Sequence, residues 1–521
     1  MDKLPLNLLG RIIKDAAIDR LTTRGEIKKC IAPYASVSNR FRQVVERTTF
    51  REIAFVREDI AAISFILNRY ERWLCVRTVK FVVLLPQYED RLDQLETPQE
   101  TAKNSQIYAL HIALLVDLLS QYPACNALAY SRAASIKLNI HVYSPTDWYV
   151  REYSDDIYDR GFEAMNDHRF TQVWRHHRSV MRHVGYLPLQ SLQHVPIEKI
   201  GFPGHPVIRH KDANFLTEMI SVMNLGRLNS IQWGFGDVDK NDVPRRCARR
   251  RDLADAIDSL PELSEFNLTY SYVAPYNHDY QPPILCHPNE SDAVSCSIRR
   301  LSQRTKNVTI TGILASTEIF WPKAGLRDGL EPKPSWESLE RLNILFHPIT
   351  PEGNWLFERD YDIPIFDIPY VDLRPLPVEI RAEEDAEWNQ WRYAPIQRRM
   401  DDLYQAVGRA VANMPKLRCM HLEFIHHLEP LTTRAAEPVE HLFTFEVFED
   451  RKAKALWYSK PQYEPSDIVK KVWMNSAYEL CVDLQIQVIS KSTYDDYNWD
   501  DDGEGEEDDL DDDSRVVIVI R

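Results

Sequence analysis

The feature that most restricts the fold of this chain is an imperfect recurrence: a helical stretch, a short leucine or proline junction, then a strand-forming stretch. It appears in NFLTEMISVMNLGRLNSIQWGF, DLADAIDSLPELSEFNLTY, AVSCSIRRLSQRTKNVTITGI and DDLYQAVGRAVANMPKLRCMHLEF, with a shorter version, SWESLERLNILFH, between the last two. Successive strand-forming stretches lie some mid-thirties to forties of residues apart until a long insertion intervenes. A unit of this size cannot cover its own apolar face. Stacked neighbours bury a continuous core, so the recurrence predicts an α/β solenoid whose strands lie side by side in one sheet. An earlier helix, 107–121, followed by a strand at 135–142, reads as a first, irregular unit.

The L-x-x-L-x-L cadence is kept best in LPELSEFNL and MPKLRCMHL. On that cadence residues 56–494 resemble an irregular leucine-rich-repeat horseshoe, which implies a concave sheet as the working surface. Alternate strand residues face opposite sides of a sheet. Gln232, Asn267, Thr269, Thr309, Thr311, Asn343, His421 and Glu423 are therefore expected to face outward, as candidates for holding a protein target or as plain solvated positions. The segment 348–395 interrupts the recurrence with many prolines and aromatics, as in DIPIFDIPYVDLRPLP. Prolines at that density forbid a long helix in its first half, while the aromatics argue against plain disorder. An ordered excursion is expected, with Trp355 and Trp388 as candidate target contacts or as caps on an exposed edge of the core.

The first fifty-five residues have a different character. Leu4, Leu8, Leu9, Ile12 and Ile13 fall at the three- and four-residue intervals of one helical face, and Pro5 suits a first helical turn. Farther on, Ile31, Tyr34, Val37, Phe41, Val44 and Val45 repeat the helical period. Two or three short helices in so short a stretch enclose too little surface for independence and lean on a partner or on the next domain.

The pattern Leu4-Pro5, Leu8-Leu9, Ile12-Ile13, then Ala32-Pro33-Tyr34-Ala35 and Val37-Ser38 leading to Phe41, resembles an F-box, particularly the version common in filamentous fungi. Phe41 stands where that family usually carries tryptophan. The resemblance covers residues 1–55 and implies docking on a Skp-type adaptor of a cullin-RING (SCF) ubiquitin ligase. Leu4, Pro5, Leu8, Leu9 and Ile12 would supply the adaptor-facing surface, and Val37 and Phe41 would complete the small core or touch the adaptor. The chain is then expected to be a non-catalytic receptor that brings an unknown protein target to the ligase for ubiquitin-dependent degradation. The alternatives are a repeat scaffold for protein–protein contact whose N-terminal helices only cap the solenoid, and a binder of basic proteins acting through its acidic segment.

Charge locates that last segment. The net charge of −15 falls mostly on residues 495–521, which hold thirteen acidic and two basic residues and leave −4 for everything before them. A run such as DDDGEGEEDDLDDD cannot bury enough apolar surface to offset its ordering entropy, so residues 495–514 are expected to form a flexible loop. SRVVIVIR follows, and 515–521 reads as a terminal strand. The basic cluster PRRCARRRD is expected to be a solvated arginine-rich loop and helix start, and the acidic remainder of the chain opposes steering to nucleic acid.

Enzymatic readings find little footing. The histidines of WRHHRSVMRH lack the spacing of a helical zinc hydrolase, and the chain has no phosphate cradle and no nucleophile elbow. The eight cysteines are scattered without paired short spacing, so neither a metal site nor a disulfide framework is expected, and no cofactor. Cys286 with His287, and Cys419 with His421, are neighbours in sequence, which does not place a thiol against a base. With neither a basic leader nor eighteen uninterrupted apolar residues, a soluble protein of the cytoplasm or nucleus is expected, without a membrane partner.

Overall fold

The computed structural model describes residues 8–9, 18–19, 27–28, 32–69, 72–86, 97–123, 135–144, 180–181, 192, 195–202, 210–211, 228–237, 242–271, 278, 280–323, 333–358, 392, 394–424, 441–448, 451–459 and 463–489. Their main feature is one open sheet of twelve strands. These are β1 (Glu52–Val56), β2 (Thr78–Leu84), β3 (Ile136–Tyr143), β4 (Ile197–Phe202), β5 (Ser230–Gly236), β6 (Leu263–Ser271), β7 (Thr305–Ile313), β8 (Arg341–Phe346), β9 (Cys419–Phe424), β10 (His441–Val447), β11 (Lys452–Ser459) and β12 (Asp483–Ile489). Their order in the sheet is their order in the chain, and β1 and β12 are the edges. Every pairing from β1 to β9 is parallel, as is β11 with β12. Only β10 runs against its two neighbours. A parallel sheet that never reverses its order is what stacked helix–strand units produce, so the α/β, solenoid-like expectation is met.

Among the described residues, seven helices of eight or more residues accompany the sheet: α1 (Asn39–Thr49), α2 (Ile60–Leu67), α3 (Pro98–Ser120), α4 (Val243–Asp258), α5 (Ala293–Ser302), α6 (Gln397–Val411) and α7 (Asp467–Leu480). Their starts are written locally. Thr97 and Glu100 form a reciprocal capping box with Pro98 in the first turn of α3, and Ser38, Asp242, Asp292 and Ser466 cap α1, α4, α5 and α7. Helix α7 ends at Cys481, whose φ of 55° is the left-handed turn that closes a helix.

Helices and strands bury one shared core. On β2 the side chains of Val79, Phe81 and Val83 are buried while Thr78, Lys80, Val82 and Leu84 are only half covered, and β8 keeps the same alternation, whereas β5 is buried at every position except Gln232. The buried set joins Leu115 and Leu119 of α3, Leu253 and Ile257 of α4, Ile298 and Leu301 of α5, Met400 and Val407 of α6 and Val469 and Trp473 of α7 in a single cluster. The described helices thus cover one face of the sheet; on the other, half-covered residues alternate with the core, and Leu456, Tyr458 and Ile489 form a small buried cluster at the β11–β12 end.

The arginine cluster departs from expectation. It lies in α4, and Arg246 and Arg250, one turn apart, are buried rather than solvated. Arg246 grips Asp237 through two hydrogen bonds of 2.9 Å, Tyr270 donates to the same carboxylate at 2.7 Å, and Arg250 reaches Tyr270 and Asp292. The i, i+4 spacing places both guanidinium groups on one side of α4, one against Asp237 just after β5 and the other against Tyr270 of β6 and Asp292 at the start of α5. Arg251 remains exposed.

The N-terminal region also differs in part. Leu8 and Leu9 are helical, Ala32–Ser36 is a 3₁₀ turn, and Ser38 interrupts the expected single helical run before α1. A two-residue antiparallel pair, Ile18–Asp19 with Ile27–Lys28, joins them. Leu4, Pro5 and Ile12 lie outside the described residues, as do the acidic segment 495–514 and the terminal strand expected at 515–521.

Candidate functional site

Two surfaces emerge, one at each level of the architecture. The first lies around α1. Leu9, Phe41, Val44 and Val45 form a small cluster of their own, separate from the main core. Leu9 and Phe41 are therefore interior residues here and not surface contacts, at 0% and 5% exposure. Around that cluster three apolar side chains stay open: Leu8 at 44%, Tyr34 at 39% and Val37 at 59%. Tyr34 was not among the residues singled out for contact; the 3₁₀ turn, which helical periodicity does not foresee, turns it outward.

The second surface is the face of the sheet opposite the described helices. Strand register brings the expected outward residues into two rows. Gln232 pairs with Asn267, Asn267 with Thr309, Thr309 with Asn343 and Asn343 with His421, across five adjacent strands. One pleat farther along, Thr269 pairs with Thr311, and Leu345 separates Thr311 from Glu423. All eight residues are half-covered or exposed, as their alternation requires. The first row runs on through Gly201 to Asn139, and the second begins at Gly234. Of these additions Gly201 is not legible in the sequence, because IEKIGF is too short, and follows too irregular a stretch, to announce β4.

The rows are electrically quiet. A Glu423 carboxylate oxygen accepts from His421 Nε2 across 3.3 Å, and Asn267 donates to Glu265 at 3.0 Å. Among the described residues the side chains of Gln232, Thr269, Thr309, Thr311 and Asn343 make no hydrogen bond. Charges collect instead near the strand starts, where they meet each other: Lys199 with Glu265, and Lys306 and Arg418 with Glu340, each at 3.9 Å.

Trp355 does not join this surface. It is 5% exposed, forms an antiparallel bridge with Ile349, donates its indole N–H to the Tyr280 carbonyl at 3.2 Å and stacks near His278. It pins the loop before α6 to the core. Trp388, with the stretch 359–391 of the insertion, lies outside the described residues.

The cysteine–histidine neighbours do not form nucleophile–base pairs. The Cys286 thiol donates to the carbonyls of His287 and Glu290 rather than facing an imidazole, and burial pushes it up to about 12, far from a thiolate at neutral pH. Burial also raises the Cys419 thiol, while the His421 ring contacts Glu423. The histidines of the WRHHRSVMRH stretch lie outside the described residues. No helix among the described residues is long and apolar enough to cross a membrane.

The fold and the two surfaces define an α/β protein with one mostly parallel twelve-stranded sheet, one face packed by the described helices and the other carrying half-covered polar residues across β5 to β9. A scan against known protein families finds no matching model, and no curated protein matches the chain.

Proposed function

We propose that this chain is a substrate-recognition subunit of a cullin-RING ubiquitin ligase, docking a Skp-type adaptor through its N-terminal module and a protein target through the open face of its sheet. The observation that carries the reading is the exposure of Leu8, Tyr34 and Val37 around a four-residue core that is distinct from the main one. Apolar side chains left exposed on so small a module gain most by burial against another chain, about 1.5 to 3 kcal/mol for each that becomes fully enclosed. The sequence pattern of residues 1–55 agrees with an F-box, and the leucine-rich-repeat-like body supplies a rigid platform for the target. The chain itself performs no chemistry in this scheme. It raises the local concentration of target lysines near the charged ubiquitin carrier.

The test is co-purification with the adaptor. Val37→Asp changes an exposed side chain and should leave the melting temperature nearly unchanged while abolishing adaptor recovery; Leu8→Asp should do the same. Unchanged recovery with both variants removes the ligase reading and leaves a scaffold whose N-terminal helices serve only the solenoid.

A further inference from the structure

The open face of the sheet specifies the chemistry of what it holds, a step that rests on reading that face as the target site. Across β4 to β8 the two rows contain Gly201, Gln232, Gly234, Asn267, Thr269, Thr309, Thr311, Asn343 and Leu345. None of these nine carries a charge, in a chain of which 27% is charged. Nor are they apolar. They are amides, hydroxyls and glycines with a single leucine.

Three physical points follow. A charged ligand group centred on these nine positions would lose water there and find no opposite charge among them; the charges stand at the strand starts, where Lys199 meets Glu265, Lys306 and Arg418 meet Glu340, and Arg341 is exposed. Five of the side chains, Gln232, Thr269, Thr309, Thr311 and Asn343, keep their hydrogen-bonding capacity unspent among the described residues and offer both donors and acceptors. Finally, the small residues let another backbone come close. At Gly201 that space is taken by the chain itself, since a Cβ there would strike the Asn139 side-chain oxygen, so the approach lies over Gln232, Thr269, Thr309 and Thr311.

We propose that the segment held on this face is an extended, uncharged stretch of polypeptide, read mainly through its backbone amides and carbonyls. Four strand spacings of about 4.8 Å make the platform about 19 Å wide, the span of about six residues of extended chain. An acidic peptide is the rival occupant, with Lys137, exposed and in register beside Lys199, as the position it would seek. The unpaired positions on the platform itself favour the neutral segment.

The probe is a displayed library of random peptides, selected on the full-length chain and retested on Thr309→Asp and Lys137→Glu, both of which alter side chains on the open face. The expected result is enrichment of peptides poor in Asp, Glu, Lys and Arg, with affinity nearly independent of salt, weakened about tenfold or more by Thr309→Asp and unaffected by Lys137→Glu. Acid-rich peptides whose affinity falls steeply with salt and with Lys137→Glu would overturn the proposal. So would binders indifferent to Thr309→Asp, or a library that yields no binder. Peptide binding that emerges only after deletion of residues 500–513 would also overturn it, by assigning the face to the chain's own acidic segment. Adaptor recovery measured on the same variants reports separately on the N-terminal module, so loss of one reading does not imply loss of the other.

Discussion

Arg72 holds Glu46 by two hydrogen bonds to one carboxylate oxygen, from Nε at 3.0 Å and from a terminal guanidinium nitrogen at 2.9 Å. Its other terminal nitrogen donates to the Ile66 carbonyl, and the guanidinium lies 4.8 Å from the centre of the Phe50 ring. Glu46 belongs to α1 and Arg72 to the turn before β2, so this pair ties the N-terminal module to the body of the sheet. Glu46→Ala should cost about 1 to 3 kcal/mol locally, because it leaves a partly buried guanidinium without its carboxylate. Hydrogen exchange is the measurement: amides of α1 should lose protection while those of β5 to β9 keep theirs. Equal protection in both variants would mean that the module is held by packing alone.

The pair formed by Arg250 and Asp292 is more deeply placed, both side chains being at most 4% exposed, and it also engages Tyr270 and the Leu314 carbonyl. Arg250→Met should destabilise the whole domain by about 3 to 5 kcal/mol by stranding a buried carboxylate. Replacing both members with apolar residues should cost less than the single change. Denaturant unfolding of the three variants checks the order.

Asp237 sets a pH limit. Burial alone would raise its pKa, but the charge of Arg246 and the hydrogen bonds from Arg246 and Tyr270 outweigh that and hold it down to about 2, against the usual 3.8. A carboxylate depressed in the folded state contributes stability that is fully present above its unfolded pKa and is lost as pH falls through the folded one. The loss should therefore run from near pH 4 down to about 2 and amount to about 2 kcal/mol. Asp237→Asn should flatten that part of the stability profile. An unchanged profile would assign acid sensitivity to other carboxylates.

Gly408 sits where α6 meets α7, and a Cβ there would come within 2.9 Å of a Val472 methyl and 3.1 Å of the Trp473 indole nitrogen. Helix propensity favours alanine over glycine by about 1 kcal/mol, yet overpacking costs about 1 to 3 kcal/mol. Gly408→Ala should accordingly lower the melting temperature, and Gly408→Val should lower it further. A rise with alanine would show that the two helices separate at little cost.

The sequence by itself determined the helix–strand recurrence, its side-by-side strands and the outward parity of Gln232, Asn267, Thr309 and Asn343, because periods of 3.6 and 2 are local properties of backbone geometry. It also determined the apolar character of the N-terminal module. Only the tertiary structure decided which of those apolar residues became core, Leu9 and Phe41, and which stayed open, Leu8 and Val37, since that choice depends on the break at Ser38. The same holds for β10, which runs antiparallel to both its neighbours, and for Arg246 and Arg250, whose partners Asp237 and Asp292 lie in other elements. Register, like ion pairing across elements, is a long-range relation: it aligns residues far apart in the chain, and no local pattern encodes which strand will stand next to which.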